Sequence, residues 1–371
     1  MTAAGAPARQ EREHFRALTG IRGIAAWMVV LYHIRFSLDA LVPAGVIAAL
    51  GKGYLAVDLF FILSGFVLWY NYADRLRVGR RGEVFQFMWR RIARIWPLHL
   101  FILSAFVAFA LLLVATGRST ADYPFAELPL HVFLIQNWGF TSELAWNHPA
   151  WSISTELAAY LVFPLIVTAF RWDRLALPAL VCVAAALLAA IHMIFAAGGS
   201  GNLGHDIPGL GLWRCLAEFT LGTIACMLWQ SLRDWRFGAV VCGASCAALL
   251  VLGLALALPE TLFVPAVFLT AILALALDRS IVARLMGAGP IHYLGDISYS
   301  TYLAHYFLFI LFKLLFLDAS LQLGWAGLAG FLLLVLGASV LLYHGVEKPA
   351  QRWLNRHRPD GLFMRRAVPA E

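Results

Sequence analysis

The sequence predicts an all-α integral membrane protein, a bundle of about ten transmembrane helices with both termini in the cytoplasm. First, 61% of the 371 residues are hydrophobic and only 13% are charged, too few charges to cover the surface of a water-soluble protein. Second, the apolar runs are long and continuous, near the roughly 20 residues that one helical crossing needs. A membrane β-barrel would show short segments of alternating polarity instead. Third, the basic residues collect in every second loop.

Ten apolar runs follow one another along the chain. They lie near residues 20–41, 53–71, 97–117, 151–170, 175–197, 212–230, 237–258, 261–277, 297–317 and 323–345. The narrowest break is the pair Pro259 and Glu260, which separates two of the runs by only two polar positions. A count of eight spans would require two of the runs to be re-entrant, so we expect ten.

Basic residues give the bundle its direction, because Lys and Arg are enriched in cytoplasmic loops. With both ends inside, 23 of the 28 Lys and Arg residues lie on the cytoplasmic side. The formal net charge of +7 therefore reflects topology and gives no reason to expect a nucleic-acid partner. The predicted organisation is a cytoplasmic arm over residues 1–16, a transmembrane domain over 17–347 and a basic cytoplasmic tail over 348–371.

The N-terminus resembles a signal peptide only superficially. Arg9, Arg12 and Arg16 precede an apolar stretch, but Arg22 and His33 interrupt that stretch and no small-residue cleavage site follows closely. We therefore expect an uncleaved first span. All five cysteines fall in predicted spans and lack zinc-ligand spacing, so we expect no metal site.

Two ionisable residues share one face of the first span. Arg22 and His33 are eleven residues apart, close to three helical turns and about 16 Å along the axis. This spacing puts Arg22 at the cytoplasmic edge and His33 near mid-membrane. A lone membrane histidine can be a mere interhelical hydrogen-bonding residue, but ionisable groups inside a span are costly and indicate function by default.

The second span, GYLAVDLFFILSGFVLWY, carries a carboxylate about five residues below the outer surface. Asp58 must be paired, be protonated or line a watery cavity, and His33 or an arginine is a candidate partner. Deeper in the same span, Ser64 and Gly65 are typical of a close-packing site for a neighbouring helix.

The third span opens with the arginine cluster FMWRRIARIWP. Arg90, Arg91 and Arg94 are three and four residues apart and form one cationic patch at the membrane edge. The patch could anchor the helix or contact lipid headgroups. Alternatively it could bind phosphate, for which the guanidinium fork is suited.

Further polar residues stand at the ends of later spans. Trp151, Ser152 and Glu156 lie at the outer mouth of the fourth span, where Ser152 could simply cap the helix or Glu156 could be a second functional carboxylate. Tyr299 and Tyr302 at the entry of the ninth span are typical interface anchors. Two more residues complete the set, His305 about 12 Å into the ninth span and Glu347 after the last span, which we expect to pair with a neighbouring arginine.

Together these segments resemble the membrane-bound acyltransferase 3 family, the O-acyltransferases of cell-envelope glycans and some small glycosylated metabolites. The matching segments are LTGIRGIAAWMVVLYH, GYLAVDLFFILSGF, WRRIARIWP, WSISTE, GDISYSTYLAH and VEKP. They run in the family's order from about residue 15 to 350. Many relatives carry an additional C-terminal SGNH-type domain. This chain stops about 25 residues after its last span, so we expect no second acyl-transfer site.

The resemblance implies a reaction, transfer of an acyl group, by default acetyl, from cytoplasmic acyl-CoA to a hydroxyl of an extracytoplasmic glycan or glycosylated acceptor. The bacterial cytoplasmic membrane is the expected location, and acyl-CoA is a co-substrate rather than a bound cofactor. His33 would act as general base or first accept the acyl group itself. The other implied roles are CoA phosphate binding by Arg22, Arg90, Arg91 and Arg94, orientation of the imidazole or sugar binding by Asp58 and Glu156, and substrate contact by Trp151, Ser152, Tyr299, Tyr302 and His305.

One function of another class stays open at this point. A transporter or flippase for a lipid-linked or acylated small molecule could use His33, Asp58 and Glu156 as a proton relay. Such carriers often show two related halves, and this sequence has no convincing internal repeat.

The outer segment 118–150 is rich in aromatic residues, which could stack on sugar rings or lie at the interface as an aromatic belt.

Overall fold

The protein is described here by a computed structural model that covers residues 15–79 and 81–359. Most of the predicted N-terminal arm, with Arg9 and Arg12, lies outside the described residues, as does the end of the predicted tail from residue 360.

The described residues form α-helices joined by short turns and 3-10 segments, and ten of these helical stretches are long and apolar enough to cross a membrane. The predicted all-helical class and the count of ten are confirmed. The helices are α1 (Arg16–Ile34), α2 (Ala44–Leu50), α3 (Ala56–Arg77), α4 (Arg81–Ala115), α5 (Leu128–Phe133), α6 (Ala150–Ala169), α7 (Leu177–Ala197), α8 (Ile207–Leu232), α9 (Gly238–Ala255), α10 (Glu260–Leu277), α11 (Ile281–Met286), α12 (Gly289–Asp296), α13 (Ser298–Phe316), α14 (Trp325–Leu342) and α15 (Lys348–Arg356).

Two boundaries were uncertain from sequence. The break at Pro259 does separate two helices, since α9 ends at Ala255 and α10 begins at Glu260. The third span was predicted from residue 97, but α4 begins at Arg81 and contains Pro97 in its interior. The apolar run marks only the second half of this helix. The first half carries the arginine cluster and packs on α15, with Trp89 Nε1 donating to the Leu354 carbonyl at 2.9 Å.

Helices α3 and α8 form the centre of the bundle and are its most extensive helix pair. Their backbones nearly touch. A Cβ atom added to Gly65 would lie 1.9 Å from the Phe219 carbonyl oxygen, and one added to Gly222 would lie 1.9 Å from the Ile62 carbonyl oxygen. The predicted close-packing role of Gly65 is confirmed.

Helix α1 is held by an equally close contact against α12. A Cβ on Gly295 would lie 1.9 Å from the Thr19 carbonyl oxygen. Since α12 leads directly into α13, this contact places the face of α1 that carries Arg22 and His33 against the start of α13.

The aromatic segment before α6 packs largely into the protein. Trp146 is fully buried and His131 is buried, whereas Phe140 is exposed. Burial lowers the pKa of His131 to about 4, so its imidazole is neutral at physiological pH. The segment is therefore part of the folded protein and not simply an interfacial belt.

We expect Gly65→Ala to destabilise the protein, because its methyl group would overlap the Phe219 carbonyl and force α3 away from α8. Overpacking of a core costs about 1–3 kcal/mol, and contact with backbone leaves little room to relax. Thermal unfolding of the detergent-purified protein, followed by size-exclusion chromatography, measures the loss. Gly337→Ala is the matched control, because nothing lies within 4 Å of the added atom. Equal melting temperatures for both variants would contradict the packing account.

Candidate active site

Two cavities lie inside the helical bundle and share one wall. The first has a volume of about 360 Å³ and contains Arg22, Arg91 and Arg94 in its lining; we call it the arginine cavity. The second has a volume of about 720 Å³ and contains His33 and His148; we call it the histidine cavity. The imidazoles thus line only the second cavity, which also contains Arg35 and Arg214 in its lining.

The arginine cavity brings together three of the four predicted phosphate-binding residues. Arg22 Nη2 donates to the Gly295 carbonyl at 2.7 Å, and Arg91 Nη2 donates to the Tyr72 hydroxyl at 3.3 Å. Arg90 is half-buried and is not part of the lining. Adjacent residues of an α-helix project in different directions around its axis, so Arg90 does not point into the cavity that Arg91 lines.

The third arginine is paired. Arg94 forms a salt bridge with Glu347, which is 2% exposed and also accepts a hydrogen bond from Ser300 Oγ at 2.7 Å. Glu347 ends a π-helical segment, Tyr343–Glu347, between α14 and α15. Such segments are rare and recur at functional sites. The expected pairing of Glu347 with an arginine is confirmed.

Glu156 also belongs to the arginine cavity. Its Oε1 accepts a hydrogen bond from Ser64 Oγ at 2.7 Å. The carboxylate therefore faces the three guanidinium groups rather than the His33 imidazole. A catalytic role for Glu156 stays a prediction. From this position it does not orient the His33 imidazole.

His33 is held by two partners at the same ring nitrogen. Its Nδ1 lies 2.9 Å from the Val29 carbonyl oxygen and 3.1 Å from His305 Nε2. The other nitrogen of His305, Nδ1, lies 3.2 Å from the Thr301 carbonyl oxygen. A carbonyl can only accept, so each Nδ1 carries the proton, and His305 Nε2 accepts from His33. In the neutral ring this leaves the lone pair on His33 Nε2.

Asp58 has a different partner from His33. Its two oxygens accept from Arg214 Nε at 2.7 Å and from Arg214 Nη2 at 2.6 Å, and both residues are at most 1% exposed. Arg214 Nη1 donates to the Leu203 carbonyl at 2.9 Å. The sequence left His33 or an arginine as the candidate partner of Asp58, and the partner is an arginine. A role for Asp58 in the chemistry stays a prediction.

Two members of this buried group were missed in the sequence. Neither Arg214 nor Glu218 was identified as a functional candidate, although both are buried beside Asp58. Their spacing of four in the apolar run GLGLWRCLAEFTLG was the available signal, because it puts both charges on one helix face.

Tyr302 and Val57 line both cavities and form the partition between them. The Tyr302 hydroxyl lies 2.8 Å from Ser152 Oγ and 3.1 Å from the Pro149 carbonyl oxygen. Phe60 packs edge-on against Tyr302 with ring centroids 5.8 Å apart. Reactants in the two cavities are therefore separated by little more than one tyrosine side chain.

The other predicted substrate residues distribute around this partition. Trp151 lines the histidine cavity, and its ring lies 5.6 Å from the Arg214 guanidinium. Tyr299 lines the arginine cavity and donates to the Ile95 carbonyl at 2.6 Å. His305 is fully buried behind His33, so it acts on His33 and lines neither cavity.

Comparison with known proteins points to one family. The family described as "Acyltransferase domain" matches residues 15–344. The chain is similar to "Acyltransferase MdmB" of Streptomyces mycarofaciens, with 30% identity over an alignment of 380 positions, gaps included, which covers 92% of this chain and 93% of that protein. It is 32% identical to "Protein 2 in picA locus" of Rhizobium radiobacter over 200 residues, 50% of this chain and 96% of that protein.

A third relative is longer than this chain. The "O-acetyltransferase OatA" of Staphylococcus aureus is 25% identical over 165 residues, which are 41% of this chain and 24% of that protein. No solved structure matches the chain.

We expect Arg214→Met to destabilise the protein more than Asp58→Asn. Removing the guanidinium leaves a buried carboxylate without a counter-charge, which costs about 3–5 kcal/mol. Asp58→Asn leaves Glu218 beside the guanidinium as a substitute anion. Melting temperatures of the two variants in detergent measure the difference, and an Arg214→Met protein as stable as the wild type would show that the pair carries no such energy.

Proposed function

We propose a specific reaction for this chain from the premise that it belongs to the acyltransferase 3 family and is a multi-pass membrane O-acyltransferase. It transfers an acyl group, acetyl by default, from cytoplasmic acyl-CoA to a hydroxyl of an extracytoplasmic glycan or glycosylated acceptor, in the bacterial cytoplasmic membrane. The observation that carries the proposal is the shared wall at Tyr302, which separates a cavity with three arginines from one with His33.

The arginine cavity suits the donor. CoA is polyanionic, and guanidinium groups bind phosphate through paired, charge-assisted hydrogen bonds. Arg22 and Arg91 contribute cations without an acidic partner in a salt bridge among the described residues, whereas Arg94 is neutralised by Glu347. Apolar side chains such as Phe60 and Leu63 complete the lining, an environment that suits the pantetheine arm and the thioester.

The histidine cavity suits the acceptor. His33 Nε2 removes the proton of the acceptor hydroxyl, and the oxygen attacks the thioester carbonyl as its new C–O bond forms. The tetrahedral intermediate collapses with cleavage of the C–S bond, and the CoA thiolate takes the proton from His33. The proton balance closes within the site, so no external acid or base is required.

His305 and the Val29 carbonyl serve this step by holding His33 Nδ1–H. The positive charge that develops on the imidazole is stabilised by both acceptors, as a carboxylate does for a catalytic histidine elsewhere. The same bare Nε2 could instead accept the acyl group before the acceptor attacks. Both routes use one atom of one residue. In either route, Asp58 holds Arg214 in place at the wall of the histidine cavity. Glu156 contributes to the donor side, in the arginine cavity.

We expect His33→Ala to abolish transfer while leaving acetyl-CoA binding within about twofold of the wild type, because the arginine cavity is unchanged. Release of CoA thiol by protein in lipid nanodiscs, together with binding of radiolabelled acetyl-CoA, separates the two effects. His192→Ala is the matched control, since His192 lies in α7 and its Nδ1 contacts Thr261 away from both cavities. Robust turnover by His33→Ala would rule out both the general-base route and the covalent route.

We expect Arg91→Gln to raise the KM for acetyl-CoA by about 10-fold or more, because one charge-assisted hydrogen bond contributes about 1.5–3 kcal/mol. Added salt should shrink the difference. Arg90→Gln is the control, one position away and outside the lining.

Acetyl-pantetheine lacks the nucleotide phosphates and identifies what Arg91 binds. With this donor, Arg91→Gln and wild type should have the same KM. A cluster that only anchors the helix would leave the KM for acetyl-CoA unchanged in both variants.

A further inference from the structure

A second histidine faces the acceptor cavity and has no role in the reaction described above. His148 lies just before α6 and lines the histidine cavity with His33 and Tyr306. Its ring stacks on the Tyr306 ring, with centroids 4.8 Å apart and planes at 24°. The Tyr306 ring also packs against His33, with centroids 5.5 Å apart. One tyrosine therefore stands in contact with both imidazoles.

The hydrogen bond at His148 fixes which ring nitrogen is protonated. Its Nδ1 lies 3.1 Å from the Tyr306 hydroxyl. A phenol O–H is a stronger donor than an imidazole N–H, and a bare imidazole nitrogen is a stronger acceptor than a phenol oxygen, so we assign the tyrosine O–H as donating to Nδ1. Burial lowers the pKa of His148, so the ring is neutral at physiological pH, and its one proton is on Nε2.

The two histidines consequently offer opposite groups to the same cavity. His33 presents a lone pair on Nε2, because its Nδ1–H is held by Val29 and His305. His148 presents an N–H on Nε2, and this nitrogen has no partner within the described part of the chain. Because His148 lines the cavity and is only partly buried, this N–H is available to an acceptor atom of a ligand.

We propose that His148 is an acceptor-binding residue that donates its Nε2–H to a second oxygen of the acceptor, next to the hydroxyl whose proton His33 removes. The Tyr306 ring keeps the two imidazoles apart, so the second oxygen is a different atom from the attacking one. The site thereby selects acceptors with neighbouring oxygens, such as the vicinal hydroxyls of a sugar or polyol. This inference rests on the proposed function, since it assumes that His33 receives the acceptor hydroxyl.

Small alcohols test the selection without knowledge of the natural acceptor. Protein in nanodiscs receives acetyl-CoA with either glycerol or 1-propanol at equal hydroxyl concentration, and the acetyl esters and free acetate are quantified by mass spectrometry. Wild type should acetylate glycerol about 3- to 10-fold faster than 1-propanol, the factor that one hydrogen bond between neutral groups contributes.

Two substitutions separate hydrogen bonding from packing. His148→Phe keeps the stacked ring and removes the donor, so the preference for glycerol should fall to about 1. His148→Gln places an amide N–H near the position of Nε2–H and should retain the preference. His131→Phe is the control in the same segment, because His131 is buried and lines neither cavity.

Several results would overturn the assignment. Equal rates with glycerol and 1-propanol in the wild type, or an undiminished preference in His148→Phe, would show that His148 does not bind a second oxygen. Loss of ester formation with both alcohols in His148→Phe and in His148→Gln would show a purely structural role. Absence of CoA release by the wild type under every condition would overturn the proposed function itself, a different outcome from any of these.

Discussion

The site depends on the proton that His33 carries on Nδ1. The Val29 carbonyl and His305 Nε2 both accept a hydrogen bond from that N–H, and the Thr301 carbonyl fixes His305 in the tautomer that can accept it. Imidazole is useful as a base or nucleophile only through the nitrogen that lacks hydrogen. Two backbone carbonyls on neighbouring helices therefore determine that the reactive atom is Nε2, on the side of the histidine cavity.

Buried charge pairs join the helices that surround the two cavities. Asp58 and Arg214 join α3 to α8 at the level of the histidine cavity, and Arg94 and Glu347 join α4 to the π-helical segment beside the arginine cavity. Burying each pair costs desolvation free energy, and that cost is offset only by well-aligned contacts within the pair and by additional hydrogen bonds. In both pairs one residue meets a further partner, Leu203 for Arg214 and Ser300 for Glu347.

Much of this architecture could be predicted from sequence. The ten spans follow from apolar run length, and the shared face of Arg22 and His33 follows from helical periodicity. The partners could not be predicted in the same way. Asp58 and Arg214 are 156 residues apart, and their pairing depends on how α3 and α8 are rotated against each other. No local pattern records that rotation.

The same limit explains the other differences. Glu156 was assigned to the outer mouth of its span, but it lies one helical turn after Ser152 on the same face of α6, and both residues line the arginine cavity. His148 was read as part of an aromatic segment, because only the packing of Tyr306 reveals its place beside His33. Residues that act through a neighbour from a distant helix are the ones that sequence reasoning misses.

The most direct test of the two-cavity account is a cryo-electron microscopy structure of the protein with an acetyl-CoA analogue in which the thioester sulfur is replaced by oxygen or methylene. We predict density for the nucleotide phosphates at Arg22 and Arg91 and for the acetyl group at the partition beside Tyr302, within reach of His33 Nε2. Density for the analogue outside the arginine cavity, or with its acetyl group far from His33, would contradict the account.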